Sequence, residues 1–204
     1  MKVVYKIADN IISSLGITTA ENVAAINQGQ SGITSHCNEY KIPELFQASV
    51  VNFERLDSYF RTFASESRYT NFERMLISSV YEASAHANVD LASPETLFVI
   101  STTKGNVVLL EPENENKYNH GRVNLWASAD EILSFFRNPN SPVIVSQACI
   151  SGVSALLVAK MYLESGKFKN AVVSGGDVLS KFIVSGFQSF KALSPSTINC
   201  LSTI

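Results

Sequence analysis

The chain has 204 residues, 46% hydrophobic and 17% charged, which provides material for a substantial core and argues against a disordered chain. Its formal net charge is −2 and it carries no cluster of Lys or Arg, so nucleic acid and anionic membrane are poor partners. Three cysteines at wide, irregular spacing, with no C-x-x-C, fit a reducing cytoplasm better than a disulfide framework or a metal site.

In chain order, Val3 to Ala8 reads as a short strand; with Met1 and Lys2 ahead of it, this apolar run is too short for a signal peptide. No stretch approaches the roughly 18 apolar residues of a membrane span. Thr18-Thr19-Ala20-Glu21 has the form of a capping box and predicts a helix to about Asn27, closed off by Gly29 and Gly32. Residues 33–68 carry no clear periodicity. A second capping box, Thr70 to Glu73, predicts a helix through His86 with Met75, Leu76, Val80 and Ala83 on one face.

Thr96 to Ser101 is a continuous apolar run of strand type. Residues 111–121 are polar and read as a surface excursion. A third box, Ser128 to Glu131, predicts a short helix over Ile132–Phe136, and Pro139 and Pro142 lead into a strand ending at Ala148. From Val153 to Leu163 the apolar residues run nearly all the way round, the pattern of a helix covered on every side. Gly166 ends it, and Asn170 to Gly176 forms the next strand and turn. This alternation argues for an α/β fold with a mainly parallel sheet in a single domain over 1–204.

Cys149 is the candidate nucleophile. A thiol where a strand runs into a helix meets the unpaired N–H groups and positive end of that helix, and both favour thiolate. Ala148, Ser151 and Gly152 are small, so an acyl group and its carrier can approach, and the N–H of Cys149 itself is a natural oxyanion donor. Cys37 and Cys200 lie in polar, turn-like surroundings without such a setting. The alternative for Cys149 is the commonest fate of an intracellular thiol, inert burial. Gly175-Gly176-Asp177 reads as a tight turn, because no phosphate-binding glycine motif is present. Phe182, Phe187 and Phe190 read as core, with an acyl pocket as the alternative. His36, His86 and His120 share no local motif with Cys149, although a Cys–His pair can assemble in three dimensions.

Three stretches together add a resemblance: Gln147-Ala148-Cys149-Ile150-Ser151-Gly152, Ser174-Gly175-Gly176-Asp177, and Ser185-Gly186-Phe187 through Ala192-Leu193-Ser194-Pro195. In order and spacing they resemble the β-ketoacyl-acyl-carrier-protein synthases of fatty acid and polyketide biosynthesis. Ser101 to Gly105 resembles a turn of that family, and Thr18 to Ile33 its opening helix and loop. The resemblance implies a thiolase-like fold with helices on both faces of a mainly parallel mixed sheet. It also implies a decarboxylating Claisen condensation, in which Cys149 takes an acyl group from a pantetheine thioester and a carbanion from malonyl carrier protein then attacks it. Phe187, Ile150 and Gly152 are the expected substrate-contacting positions. The implied partners are an acyl carrier protein and a second subunit, as homo- or heterodimer, with no cofactor beyond the carrier's phosphopantetheine.

Members of that family are about twice as long, because their fold joins two similar halves. The two histidines and the lysine that promote decarboxylation lie in the second half, whereas all three histidines here precede Cys149. The expectation is therefore an N-terminal half, incomplete alone, whose apolar helix after Cys149 needs a companion. The rival readings are a catalytically silent scaffold that pairs with a complete condensing enzyme, and a cysteine acyltransferase or hydrolase that uses a local histidine.

Overall fold

The computed structural model describes residues 3–114 and 117–194; Pro195, Cys200 and the rest of the last ten residues lie outside the described residues. Its centre is strand β3 (Thr96–Ser101), buried at every position. β3 pairs in parallel with β4 (Val143–Val145) on one side and β5 (Asn170–Gly175) on the other, giving the order β4-β3-β5. Alternate side chains of β3 point to opposite faces, and both faces are covered, which is why its sequence is apolar throughout rather than alternating.

On one face Leu97 and Val99 pack with Val145 against Ala155 and Ala159 of helix α5 (Ser151–Glu164). On the other, Phe98 and Ile100 join the larger core built by three helices, α2 (Phe53–Phe60), α3 (Asn71–Ser84) and α4 (Leu125–Phe135). Leu56, Phe60, Phe72, Leu76, Ile77 and Ile132 are fully buried there. Helix α1 (Thr19–Asn27) starts at the Thr18 cap, and a small antiparallel ribbon joins β1 (Thr34–His36) to β2 (Phe46–Ala48). The chain's last described helix is α6 (Lys181–Ser189).

Several expectations hold closely. The Thr70–Glu73 box forms with both its hydrogen bonds, although α3 stops at Ser84, short of His86. β3 spans the residues expected, β5 ends at Gly175, and α5 starts two residues before Val153. Others are corrected. Val3–Ala8 is not a strand: among the described residues it pairs with no strand, and no backbone–backbone hydrogen bond ties it down. Ser128 is no cap, because it lies buried inside α4, which already begins at Leu125. Its hydroxyl donates to the Arg122 carbonyl at 2.7 Å rather than serving a helix start, and Glu131 faces Arg68 and Arg122. The pre-Cys149 strand is limited to Val143–Val145, because the backbone then bends into the elbow.

The capping box also anchors a buried polar cluster that sequence patterning did not reveal. Glu73 is fully buried; its carboxylate accepts from the Thr70 N–H (2.9 Å) and the Asn106 amide (2.9 Å) and pairs with Arg122 at 2.8 Å. Asn106 also donates to Ser128 (2.9 Å), and the Thr70 hydroxyl donates back to Asn106 (2.6 Å), so the box, the loop after β3 and α4 are tied at one point. Burial pushes the Glu73 carboxyl above its ordinary 4.5, against the opposing pull of the Thr70 N–H, Arg122 and Asn106.

Arg122→Ala strands this carboxylate and is expected to cost about 3–5 kcal/mol in urea unfolding. The proton linkage has a defined sign. A raised carboxyl contributes stability that is fully present below pH 4.5 and lost as pH rises through the higher folded value. The stability of the wild type relative to Glu73→Gln should therefore fall as pH rises out of that acidic range and then level off. A difference independent of pH would contradict it.

Candidate active site

The elbow after β4 is built from short-range geometry. Ala148 has φ 48°, a left-handed conformation that an L-residue adopts only under constraint. Ala148–Ile150 forms a single 3-10 turn, closed by the Ile150 N–H donating to the Gln147 carbonyl at 3.1 Å, and α5 follows from Ser151. The Ser151 side chain locks the bend from inside: its hydroxyl accepts from the Gln147 N–H (2.7 Å) and donates to the Ala148 carbonyl (2.7 Å). Ser151 is itself buried while Cys149 is exposed. The thiol is thus held at the surface, at the start of α5, and inert burial is not its fate. The N–H of Cys149 makes no hydrogen bond to another described residue, so it is free to meet an incoming oxygen.

The surroundings of Cys149 are open. Gly152 has open space where a Cβ would stand, and Ile150 is largely exposed. Two clefts on the molecule, one beside Val3–Asn10 and one beside Met75 and Asp177, do not include Cys149. Phe187 sits on α6 with its ring partly exposed, and Phe182 and Phe190 are more exposed still, so the core reading of these three rings is corrected. No hydrogen bond or ring contact among the described residues joins Phe187 to Cys149. The rings are uncovered because α6 buries mainly Val184, against Ile42 and Phe46.

The tight turn expected at Gly175-Gly176-Asp177 is corrected: residues 176–180 form an irregular loop with no turn, because Asp177 is held by the loop after β3. The Asp177 carboxylate accepts from the Thr102 hydroxyl (2.6 Å), the Thr103 hydroxyl (3.0 Å) and the Lys104 N–H (3.1 Å), fastening the loop after β5 to the loop after β3. Gly175 is required there, because a Cβ would lie 2.9 Å from the Ser101 carbonyl oxygen. Asp177 is therefore a structural clamp at the end of the sheet to which β4 also delivers Cys149.

No histidine is hydrogen-bonded to Cys149. His36 has both ring nitrogens engaged, with Glu39 (2.8 Å) and Thr34 (2.9 Å), and His86 lies 3.9 Å from Glu82. His120 opens a 3-10 turn in the polar excursion. The local-histidine hydrolase therefore has no contact to rest on. Among the described residues, no three His, Cys, Asp or Glu side chains gather so as to hold a metal ion, and no helix is long and apolar enough to cross a membrane.

Comparison with known proteins bears on this geometry. Residues 145–186, from the end of β4 through the elbow, α5 and β5 into α6, match the family model of 3-oxoacyl-[acyl-carrier-protein] synthase III. No curated protein matches the sequence. Among solved structures, the ishigamide ketosynthase/chain length factor superposes with TM-score 0.76 at 20% identity, covering 94% of this chain and 51% of that one. The Xenorhabdus doucetiae ketosynthase ApeO in complex with its chain length factor ApeC gives 0.71 at 16% identity, over 93% and 51%. A β-ketoacyl synthase from Burkholderia phymatum gives 0.66 at 15%, over 90% and 49%.

The chain has the thiolase-like fold of the ketosynthases. It spans about half the length of the ketosynthase chains it matches.

The elbow lock can be tested directly. Removing two hydrogen bonds by Ser151→Ala is expected to cost about 1–3 kcal/mol and to change the alkylation rate of Cys149 while leaving that of Cys37 unaltered. Ala148→Val, which forces a β-branched residue into a left-handed conformation, should cost at least about 1–2 kcal/mol. Unchanged unfolding midpoints in both variants would remove the elbow from the account.

Proposed function

We propose that this chain is the N-terminal half of a β-ketoacyl synthase-type condensing enzyme, acting in the cytoplasm, with Cys149 as the acyl-accepting nucleophile. The observation that carries this reading is the surface-held thiol with a free N–H, inside the segment that matches the synthase model. In the first half-reaction the Cys149 sulfur attacks the carbonyl of an acyl-pantetheine thioester presented by an acyl carrier protein. One C–S bond forms and one breaks, the pantetheine thiol leaves with the proton that Cys149 gives up, and the tetrahedral oxyanion is met by the Cys149 N–H. Gly152, Ile150 and Phe187 flank the acyl group in the assembled enzyme. In the second half-reaction malonyl carrier protein loses carbon dioxide, and its carbanion attacks the acyl-enzyme and releases the sulfur. No described residue near Cys149 offers the acid–base group for that decarboxylation, so condensation belongs to an assembly.

The need for a companion is supported by α5. Its sequence is apolar all round, but Ala155 and Ala159, flanked by half-buried Val158 and Tyr162, face the sheet, while Val153, Leu156, Leu157 and Met161 are 63%, 60%, 57% and 68% exposed. Covering about 300 Å² of that surface would contribute roughly 7 kcal/mol at ~25 cal/mol per Å², on the scale of a whole domain's stability. Two of the structural relatives are ketosynthase/chain length factor assemblies, which favours a heteromeric pair. The second reading, a silent scaffold paired with a complete enzyme, shares this interface and differs only in the chemistry at Cys149.

Mass spectrometry after incubation with a short-chain acyl-pantetheine thioester separates the two. The expected result is one acyl adduct on Cys149, absent in Cys149→Ala; a folded chain with no adduct would favour the scaffold. The companion surface has its own check. Leu157→Glu with Met161→Glu should lower binding of a hydrophobic dye and reduce self-association in sedimentation, with the adduct retained. A monodisperse wild-type monomer that binds no dye would argue against an unpartnered face.

A further inference from the structure

The β1–β2 ribbon carries a cluster of side chains for which acyl transfer at Cys149 has no use. Alternate residues of a strand share a face, so Thr34 and His36 point one way. Ser35 points the other, where it meets Gln47 across the ribbon at 2.8 Å. Asn38 then turns the chain with φ 57°, and a bridge between Glu39 and Ile42, closed by the Ile42 N–H on the Glu39 carbonyl at 2.9 Å, brings Glu39 back beside His36. The result is a row of functional groups. The Thr34 hydroxyl lies 2.9 Å from His36 Nε2, and His36 Nδ1 lies 2.8 Å from the Glu39 carboxylate.

The roles follow from hydrogen-bond chemistry. A carboxylate only accepts, so Nδ1 carries the proton shared with Glu39; in the neutral imidazole Nε2 then keeps a lone pair and accepts from the Thr34 hydroxyl. Hydroxyl, base and orienting carboxylate, each within about 2.6–3.2 Å of the next, is the arrangement that activates a hydroxyl nucleophile. The imidazole is fixed through both nitrogens and through its face, which stacks on Phe46, the residue opposite it on β2, with ring centroids 5.5 Å apart. Phe46 is buried with Ile42 and Val184, and the His36 side chain is only 11% exposed. Thr34 is exposed, and the residue opposite it is the small Ala48. The base is held rigidly while the nucleophile stands open to a substrate.

We propose that Thr34, His36 and Glu39 form a second acyl-transfer site, which hydrolyses small acyl thioesters. The site does not involve Cys149 and stands apart from the reading of this chain as half of a condensing enzyme. Thr34 Oγ attacks the acyl carbon and gives its proton to His36 Nε2; the C–S bond breaks and the thiol leaves with that proton. Water then attacks the acyl-Thr34 ester and passes a proton to Nε2, and the departing Thr34 oxygen takes it back. Thioester and water are consumed, and carboxylic acid and thiol are released. The substrate class follows from the backbone behind the hydroxyl. Thr34 lies on a strand, so the developing oxyanion meets no helix N-terminus. A missing oxyanion donor costs about 100- to 1000-fold in rate, which a readily departing thiolate offsets and an amide nitrogen does not. The small space beside Ala48 suits a short acyl group.

The test uses the full chain with Cys37, Cys149 and Cys200 replaced by alanine, so that no thiol competes, and phenyl thioacetate as the probe. Thiophenol release is followed by absorbance, and acetylation by peptide mass spectrometry after acid quenching. The expected result is release above the buffer rate, with acetyl recovered on Thr34. His36→Gln should lower that release about 100-fold or more, and Glu39→Gln about tenfold. Thr34→Val, isosteric and suited to a strand, should abolish it, whereas Thr34→Ser should retain it. Thr34→Val keeps His36 and its stack on Phe46, so its result holds whatever His36→Gln does to the ribbon. Release equal to buffer would overturn the proposal. So would release unchanged in Thr34→Val, which would mark an imidazole acting alone, or acetylation of Thr34 no greater than that of the exposed Thr62, which would leave the cluster as a brace of the hairpin.

Discussion

The structure depends on the burial of β3 on both faces. Because Leu97 and Val99 face α5 while Phe98 and Ile100 face α2, α3 and α4, a single strand joins two separate apolar clusters. It also fixes its neighbours: the registers Val99 to Val143 and Thr96 to Asn170 set where β4 and β5 end. The elbow at Cys149 and the Asp177 clamp both follow from those ends. A shift of register by one residue would exchange the two faces and lose both cores, so the position of the thiol is tied to the largest hydrophobic contribution in the molecule.

At the elbow the constraint is local. Ala148 is held in an unfavourable backbone conformation, and the buried Ser151 hydroxyl, bonded to the backbone on both sides of it, supplies the opposing hydrogen bonds. Strain of this kind persists only where its surroundings over-determine it. Here the result is a thiol outside the core on a rigid support, with small neighbours that leave a path to it.

The same architecture leaves two surfaces unmatched. α5 turns Ala155, Val158, Ala159 and Tyr162 toward the sheet and Val153, Leu156, Leu157 and Met161 outward, so the helix is apolar for two partners and has one among the described residues. Among the described residues β5 pairs with β3 alone, and its side chains are mostly half-buried. A likeness confined to half of each ketosynthase chain accords with that distribution of exposed apolar area.

Much of this was legible in the residues. The Thr70–Glu73 box, the apolar run Thr96–Ser101 and the all-round apolar helix after Cys149 each follow from short-range rules, because capping and side-chain periodicity act over a few residues. The strand-to-helix placement of Cys149 was likewise a matter of adjacent elements. Where sequence reading failed, a long-range partner decided. Ser128 has the sequence of a cap but is claimed by the Arg122 carbonyl and Asn106, and Val3–Ala8 has strand composition but pairs with no strand among the described residues. Phe187 has the look of core and lies uncovered because its helix is anchored through Val184. The Glu73–Arg122–Asn106 cluster left no local signal, since its members come together only through folding. Sequence by itself determined the helices α3 and α5, the strand β3 and which sulfur stands at an elbow, because those depend on local backbone and periodic side-chain preferences. Only the tertiary structure decided which apolar faces find a partner and which remain open, because burial is a property of the whole chain packed together.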